Sequence, residues 1–234
     1  MRLDNKIAVV TGATRGIGQA IAKQLKDAGA RVIVTGTSAK NHDADYYSVD
    51  FTSEEKTQQF MAFLSKTKPD ILINNAGINK IDAFQDTTLD NFNAIYRVNV
   101  AAPFLLSKAV IPEMKKKAWG RIVNISSVFG IVSKAGRAPY SASKFAIDGM
   151  TAALAAEVAS FGILANCVAP GFIATDLTKQ ILGEAGMAEI VQQIPARRLG
   201  TPEEIAKFVV WLASPENTYI SGQNIAIDGG VTRV

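Results

Sequence analysis

Histidine and cysteine are almost absent from this chain: its 234 residues include one of each, His42 and Cys167. A single cysteine cannot close an internal disulfide, so a disulfide framework is excluded and a reducing cytoplasm fits. Cys167, following Ala165-Asn166, reads as a small buried residue. His42 has no cysteine or carboxylate cluster at ligand spacing, so it reads as a loop residue and no metal site is expected. No run of eighteen or more apolar residues occurs, so no spanning helix is expected. The apolar stretch Ile7 to Val10, directly after Met1 to Lys6, is too brief for a secretory leader. Charge of one sign is scarce as well: 25 Lys and Arg against 21 Asp and Glu leave a net +4. That modest excess suits an anionic small ligand or an acidic partner, and no dense basic stripe argues for nucleic acid. The chain shows no repeat, linker or low-complexity segment. With 48% apolar residues, it suits one large α/β domain over residues 1–234.

What is present begins with Tyr140-Ser141-Ala142-Ser143-Lys144. If Pro139 starts a helix, Tyr140 and Lys144 lie four apart on one face, bringing an ammonium beside a phenol. A free phenol titrates near about 10, and a neighbouring cation favours its ionised form. Ser127 would then donate a hydrogen bond to a substrate oxygen. Taken alone, Tyr and Lys at helical spacing are common on exposed faces, so the rest of the chain must decide.

Lys6 to Thr11 reads as a buried strand that enters the loop Gly12-Ala13-Thr14-Arg15-Gly16-Ile17-Gly18 and then a helix from Gln19 to Ala28, stopped by Gly29. A strand, a glycine loop and a helix N-terminus make an anion site suited to a diphosphate. The spacing is Gly-x-x-x-Gly-x-Gly rather than Gly-x-Gly-x-x-Gly. The second strand, Val32 to Val34, ends at Thr35-Gly36-Thr37-Ser38. Its tip carries no carboxylate to bond a ribose 2′-hydroxyl, and Arg15, Thr37, Ser38 and Lys40 lie within reach of a 2′-phosphate, which favours NADP(H) over NAD. Asp43 and Asp45 would oppose this if they folded back.

The third strand, Tyr46 to Val49, follows too closely for a full crossover helix. Thr52 to Lys66 reads as a helix with Ser53 as its N-cap, and the strand Asp70 to Asn74 opens into Asn75-Ala76-Gly77. A helical region from Leu89 to Lys117 is interrupted near Asn99 and Pro103. Proline lacks an N–H, so the Asn99 carbonyl loses its helical donor. Arg121 to Ile125 is the fifth strand, with Ser126-Ser127 at its exit. An Ala- and Ser-rich helix, Tyr140 to Phe161, suggests a close-packed partner helix from another subunit. Strand Ile163 to Val168 is broken by Pro170-Gly171. Thr175 to Gln193 reads as a mobile helical lid. Thr201, Pro202 and Glu204 start the last helix with a capping box, and Ile225 to Ile227 is the final strand.

The set Thr11-Gly12-x-x-x-Gly16-Ile17-Gly18, Asn74-Asn75-Ala76-Gly77, Asn99, Ser127, Tyr140-x-x-x-Lys144 and Pro170-Gly171, in this order, resembles the short-chain dehydrogenase/reductase family across nearly the whole chain. The resemblance implies a doubly wound seven-stranded parallel sheet of Rossmann type, from which this chain departs in that the helix between strands two and three is missing or very short. It implies that Tyr140 donates a proton as hydride arrives from the nicotinamide, and that Lys144 holds the nicotinamide ribose and lowers the Tyr140 pKa. Ser127 would orient the carbonyl, and the Asn99 carbonyl would hold a water linking Lys144 to solvent. Thr14, Arg15 and Ile17 would join the loop glycines at the cofactor, and Thr37 and Ser38 would meet its 2′-phosphate. Asp50, beside Phe51, would bond the adenine. Asn75, Ala76 and Gly77 would line the cofactor, and Pro170, Gly171, Ile173 and Thr175 would face the carboxamide.

Thr35-Gly36-Thr37-Ser38, the stretch Ala169 to Asp176, Pro195 to Gly200 and Ile227-Asp228-Gly229-Gly230 look most like the bacterial 3-oxoacyl-(acyl-carrier-protein) reductase branch. That branch implies a cytoplasmic homotetramer using NADPH in fatty-acid elongation. Its carrier-docking arginines match Ala118 and Phe161 here, where Lys115 to Lys117 would have to substitute. The alternatives are a 3-oxoacyl-CoA, a small ketone or a secondary alcohol as substrate, and, more remotely, a nucleotide-binding protein without catalysis.

Overall fold

A computed structural model describes residues 1–39 and 45–234. Seven parallel strands form one sheet in the order β3-β2-β1-β4-β5-β6-β7. They are β1 Ile7–Val10, β2 Arg31–Gly36, β3 Tyr46–Ser48, β4 Ile71–Asn74, β5 Gly120–Ile125, β6 Ile163–Pro170 and β7 Asn224–Ile227. The chain builds outward from β1 to β3, then returns to the other side of β1 with β4. That reversal opens a crevice at the carboxyl ends of β1 and β4, where open α/β sheets hold ligands.

Successive side chains of a strand point to opposite faces, so a sheet covered on both sides needs apolar residues at nearly every position. β1 and β4 meet this requirement: Ala8, Val9 and Val10, and Ile71, Leu72 and Ile73, are all buried. On one face α1 (Gly16–Asp27) and α7 (Pro202–Leu212) pack Ile21, Leu25, Ile205 and Val209 over Val10, Ile73 and Val168. On the other, α2 (Glu54–Thr67), α4 (Ala102–Lys117) and α5 (Ala138–Val158) pack Phe60, Leu64, Leu106, Met114 and Val158 over Val9, Leu72 and Ile122. Each such side chain contributes about 1.5–3 kcal/mol by leaving water. The expected helix starts are present: Ser53 accepts from the Lys56 N–H, and Thr201 and Glu204 close a capping box.

Several boundaries differ from the sequence reading. β6 runs on to Pro170, which sits in register with Ile227, and the chain leaves the sheet at Gly171. A proline at a strand's last position costs no bond the sheet needs. α5 continues as a short 3-10 turn to Phe161. The helix α6 (Asp176–Gln193) is broken at Gly183, with φ 62° and ψ 179°. Between β2 and β3, residues 37–39 and 45 hold no helix; Lys40, His42 and Asp43 lie outside the described residues. α3 (Leu89–Tyr96) passes through a π-helical turn, Arg97–Ala101, into α4. Together Leu89–Lys117 is long and apolar enough by composition to cross a membrane, which a search for unbroken apolar runs misses because Asn and charged residues punctuate it. Val98, Leu106, Val110 and Met114 are buried against the sheet, whereas Leu89 and Phe104 are exposed.

Candidate active site

The glycine loop is built by close backbone approach. Gly12 has φ +62°, and a Cβ there would lie 2.9 Å from the Ala76 Cα. At Gly18 a Cβ would meet the Asn75 Nδ2 at 2.4 Å and the Gly12 carbonyl at 2.6 Å. Asn75 fastens the two loops by donating from Nδ2 to the carbonyls of Thr11 and Gly12, both at 2.9 Å. Thr11 completes the staple, its Oγ1 accepting from the N–H groups of Asn75 and Ala76 at 2.9 and 3.0 Å. The loop leads into the N-terminus of α1, where Arg15 supplies no side-chain cap and the first turn holds no acidic residue. These donors therefore remain open to an anion, as a diphosphate needs.

Thr14 packs against the tip of β2, its Cγ2 2.6 Å from where a Gly36 Cβ would stand. Thr37 and Ser38 are exposed there, and the Ser38 carbonyl accepts from the Tyr46 hydroxyl at 2.8 Å. The Arg15 side chain is exposed, with no ion pair or hydrogen bond among the described residues. Asp45 does not fold back to the tip, because its carboxylate accepts from Arg31 Nη2 at 2.9 Å. The cleft edge thus offers hydroxyls and a cation where a 2′-phosphate would sit. Asp50 accepts from the Thr52 N–H and hydroxyl at 2.9 and 2.7 Å, and these bonds hold its carboxyl below the usual range. Phe51 is buried edge-on to Phe60, so only its backbone can meet a cofactor.

At the far end, Gly77 lies against both Asn99 and Lys144: a Cβ there would be 3.4 Å from the Asn99 Oδ1 and 3.8 Å from the Lys144 Nζ. Asn99 is buried within the π turn. Its Oδ1 accepts from the Ile78 N–H, and its Nδ2 donates to the Ile78 carbonyl and the Ser143 Oγ, at 2.9, 2.9 and 3.0 Å. Ser143 in turn donates to the Tyr140 carbonyl at 2.7 Å. The Asn99 side chain, more than its carbonyl, therefore ties the Gly77-Ile78 turn to α5.

Tyr140, Lys144 and Ser127 converge as expected, but their electrostatics differ from the sequence reading. The Ser127 Oγ accepts from the Phe129 N–H at 3.2 Å, which leaves its own hydrogen free for the Tyr140 oxygen. Burial pushes the Tyr140 hydroxyl above its ordinary pKa; the Ser127 hydrogen bond and the Arg137 charge partly offset this. Lys144 is not the group that lowers it. Its Nζ lies 5.5 Å from the Tyr140 ring centroid and donates to the Ile125 carbonyl at 2.7 Å. Burial brings Lys144 itself down to about 8. Desolvation penalises phenolate and ammonium alike, and helical spacing alone cannot reveal it.

Gly171, Ile173 and Thr175 close the cleft from the β6 side. The Gly171 N–H donates to the Ile227 carbonyl at 3.0 Å, and Ile173 forms an isolated bridge with Gly200. The Thr175 methyl comes within 3.5 Å of a would-be Gly16 Cβ, so this segment reaches the glycine loop.

The sequence profile of a family described as enoyl-(acyl carrier protein) reductase matches residues 12–232. A 3-oxoacyl-(acyl-carrier-protein) reductase of Vibrio cholerae is 42% identical over 242 residues, covering 99% of each chain. The Escherichia coli protein of the same name is 42% identical over 245 residues, covering 100% of each. The chain belongs to the short-chain dehydrogenase/reductase family. Among solved structures, a gluconate 5-dehydrogenase of Burkholderia cenocepacia in complex with NADP and tartrate superposes with a TM-score of 0.92 at 29% identity, covering 100% of this chain and 97% of that one. A 4-hydroxyisoleucine dehydrogenase complexed with NADH gives 0.91 at 33%, covering 98% of this chain and 100% of that one. The short-chain dehydrogenase/reductase scaffold thus serves several substrates and both nicotinamide cofactors, and the residues of each chain must set the choice.

The roles of three residues escape a motif reading, although Thr11 and Ser143 lie inside the motifs quoted above. Thr11 and Ser143 work through hydrogen bonds that only the folded chain brings together. Arg137 precedes α5 without belonging to any spacing rule. The one available signal was its position three residues before Tyr140.

Proposed function

We propose that this short-chain dehydrogenase/reductase is an NADPH-dependent reductase of 3-oxoacyl thioesters, converting 3-oxoacyl-(acyl-carrier-protein) to the 3-hydroxyacyl form in fatty-acid biosynthesis. The reading is carried by the Ser127 hydroxyl aimed at the Tyr140 oxygen, with Lys144 behind, in a chain that matches named 3-oxoacyl reductases end to end. When bound, NADPH would supply the hydride that C3 of the substrate takes up. Tyr140 gives its proton to the C3 oxygen, so the C=O becomes CH–OH. Ser127 donates a hydrogen bond to that oxygen and keeps it within reach of Tyr140. Lys144 binds the nicotinamide ribose and stands ready to re-protonate the phenolate. A phenol whose burial raises its pKa suits a group that must begin protonated, as reduction requires. Arg15, Thr37 and Ser38 hold the 2′-phosphate.

An acidic carrier protein would meet the end of α4. There Lys116 and Lys117 are tied to Glu113 and Asp70. Lys115 has no carboxylate partner among the described residues and lies 4.1 Å from the exposed Phe161 ring. Phe161 thus presents a lysine charge at a position where the branch carries arginine. The enzyme works in the cytoplasm as a homotetramer, which the exposed small residues of α5, Ala142, Gly149, Ala152, Ala153 and Ala156, support.

The test follows NADPH oxidation with acetoacetyl-CoA and with the acetoacetyl carrier protein. Turnover of both, with a higher kcat/KM for the carrier-linked substrate, is expected. Cofactor binding without turnover would overturn the reading. A kcat/KM no better for the carrier than for CoA would remove specific docking and leave a reductase of free thioesters or small ketones.

A further inference from the structure

Arg137 is the last residue before α5, three ahead of Tyr140. Its guanidinium carbon lies 5.4 Å from the Phe129 ring centroid. Phe129 stands edge-on to Tyr140, at 6.4 Å, and to Phe172, at 6.2 Å. Arg137 and Tyr140 therefore flank one ring at the mouth of the site, where Phe129 and Phe172 form an apolar wall.

The guanidinium is half-buried, yet it makes no hydrogen bond or ion pair among the described residues. This sets it apart. Arg121, also buried, donates to the carbonyls of Ser214, Gly120, Gly162 and Asn217. Arg31 holds Asp45, and Arg198 holds Glu204. A cation drawn out of water needs acceptors, and one aromatic face compensates only in part. Burial accordingly lowers the Arg137 pKa, and its charge reaches the Tyr140 hydroxyl.

We propose that Arg137 is a specificity-determining residue whose guanidinium binds the second oxygen of the substrate, the thioester carbonyl two carbons from the one held by Ser127 and Tyr140. The inference rests on the reductase reading above and names how that site selects its substrate. The C3 oxygen sits between Ser127 and Tyr140, and the C1 oxygen turns towards the arginine. The acyl chain follows the Phe129–Phe172 wall. A ketone without that second oxygen leaves the guanidinium as poorly compensated as before, so discrimination follows from an unmet hydrogen-bonding group rather than from size.

The test compares wild type, Arg137→Gln and Arg137→Lys on two neutral substrates. One is the acetoacetyl thioester of N-acetylcysteamine, which carries no phosphate. The other is trifluoroacetone, a ketone activated by fluorine instead of a second carbonyl. Arg137→Gln is expected to lower kcat/KM for the thioester roughly 10- to 100-fold, the loss typical of a charge-assisted hydrogen bond. NADPH affinity is expected to stay unchanged, trifluoroacetone reduction to change only by the small factor that losing a charge near Tyr140 brings, well below the thioester loss, and Arg137→Lys to restore part of the thioester rate. Equal losses on both substrates would place Arg137 in general support of Tyr140 and overturn the assignment. So would a loss seen with acetoacetyl-CoA but not with the uncharged thioester, which would mark a phosphate contact. Wild type oxidising no NADPH with any substrate would instead remove the reductase reading itself.

Discussion

In the proposed reduction Tyr140 gives up a proton from surroundings that make it harder to ionise, and Lys144 keeps one where burial favours losing it. Both shifts have the same cause, removal from water, and both have consequences a measurement can reach. Tyr140→Phe removes the transferable proton but keeps the ring packed on Phe129, so turnover is expected to vanish while NADPH affinity, followed by fluorescence, stays near wild type. Retained turnover would take Tyr140 out of its role. For Lys144, pulled down to about 8 from 10.5, the unfolded chain carries a proton between those values that the folded chain has released. Stability of the cofactor-free protein should therefore rise with pH across that window, and below it the buried charge is a burden. The Cys167 thiol, pushed up to about 12, works in the opposite direction above the ordinary thiol range. Denaturant midpoints across the window are expected to rise less in Lys144→Met than in wild type; equal slopes would rule out this origin. At the β2 tip, Thr37→Asp puts a carboxylate beside the 2′-phosphate. NADPH binding is expected to weaken on the order of tenfold with NADH spared, and an unchanged Kd for NADPH would mean that Thr37 points elsewhere.

At the scale of elements, the π turn Arg97–Ala101 is the least expected feature, although its position was legible. Pro103 has no N–H to offer the Asn99 carbonyl, so a helical irregularity near Asn99 follows from covalent structure. Its form does not. A π turn widens the helix by one residue, and here that places the Asn99 amide against both the Ile78 backbone and Ser143. Asn99→Ala strips the Ile78 backbone and Ser143 of these buried partners. A loss of about 1–3 kcal/mol is expected in denaturant unfolding, from groups left unsatisfied. NADPH affinity should fall with it, because the Gly77-Ile78 turn borders the cofactor cleft. Full stability in that variant would mean that water replaces the amide at little cost.

At the scale of the whole molecule, the charge of +4 matters less than where the uncompensated cations lie. Most exposed lysines and arginines near carboxylates pair with them, and such pairs contribute little to stability. Arg15 at the glycine loop, Arg137 beside Phe129 and Lys115 on the Phe161 ring face no carboxylate among the described residues, and each has a part in the carrier-borne reaction proposed above. Lys115→Glu is expected to lower kcat/KM for the carrier-linked substrate at low salt and to leave the CoA-linked one unchanged, since such steering acts on encounter and is screened by ions. Equal effects on both substrates would place docking on another face.

The amino-acid sequence by itself determined the alternation of strands and helices, the glycine loop, the helix caps and the spacing of Ser127, Tyr140 and Lys144. These depend on local chemistry: side-chain period, the missing N–H of proline, the freedom of glycine. Only the tertiary structure decided that Thr11 and Asn75 staple the two cofactor loops, that Asn99 reaches Ser143, and that burial makes Tyr140 harder to ionise while the Ser127 hydrogen bond and then the Arg137 charge partly offset it. Those outcomes turn on burial and on distances between residues far apart in the chain, and dielectric surroundings are a property of the packed molecule that no spacing rule contains.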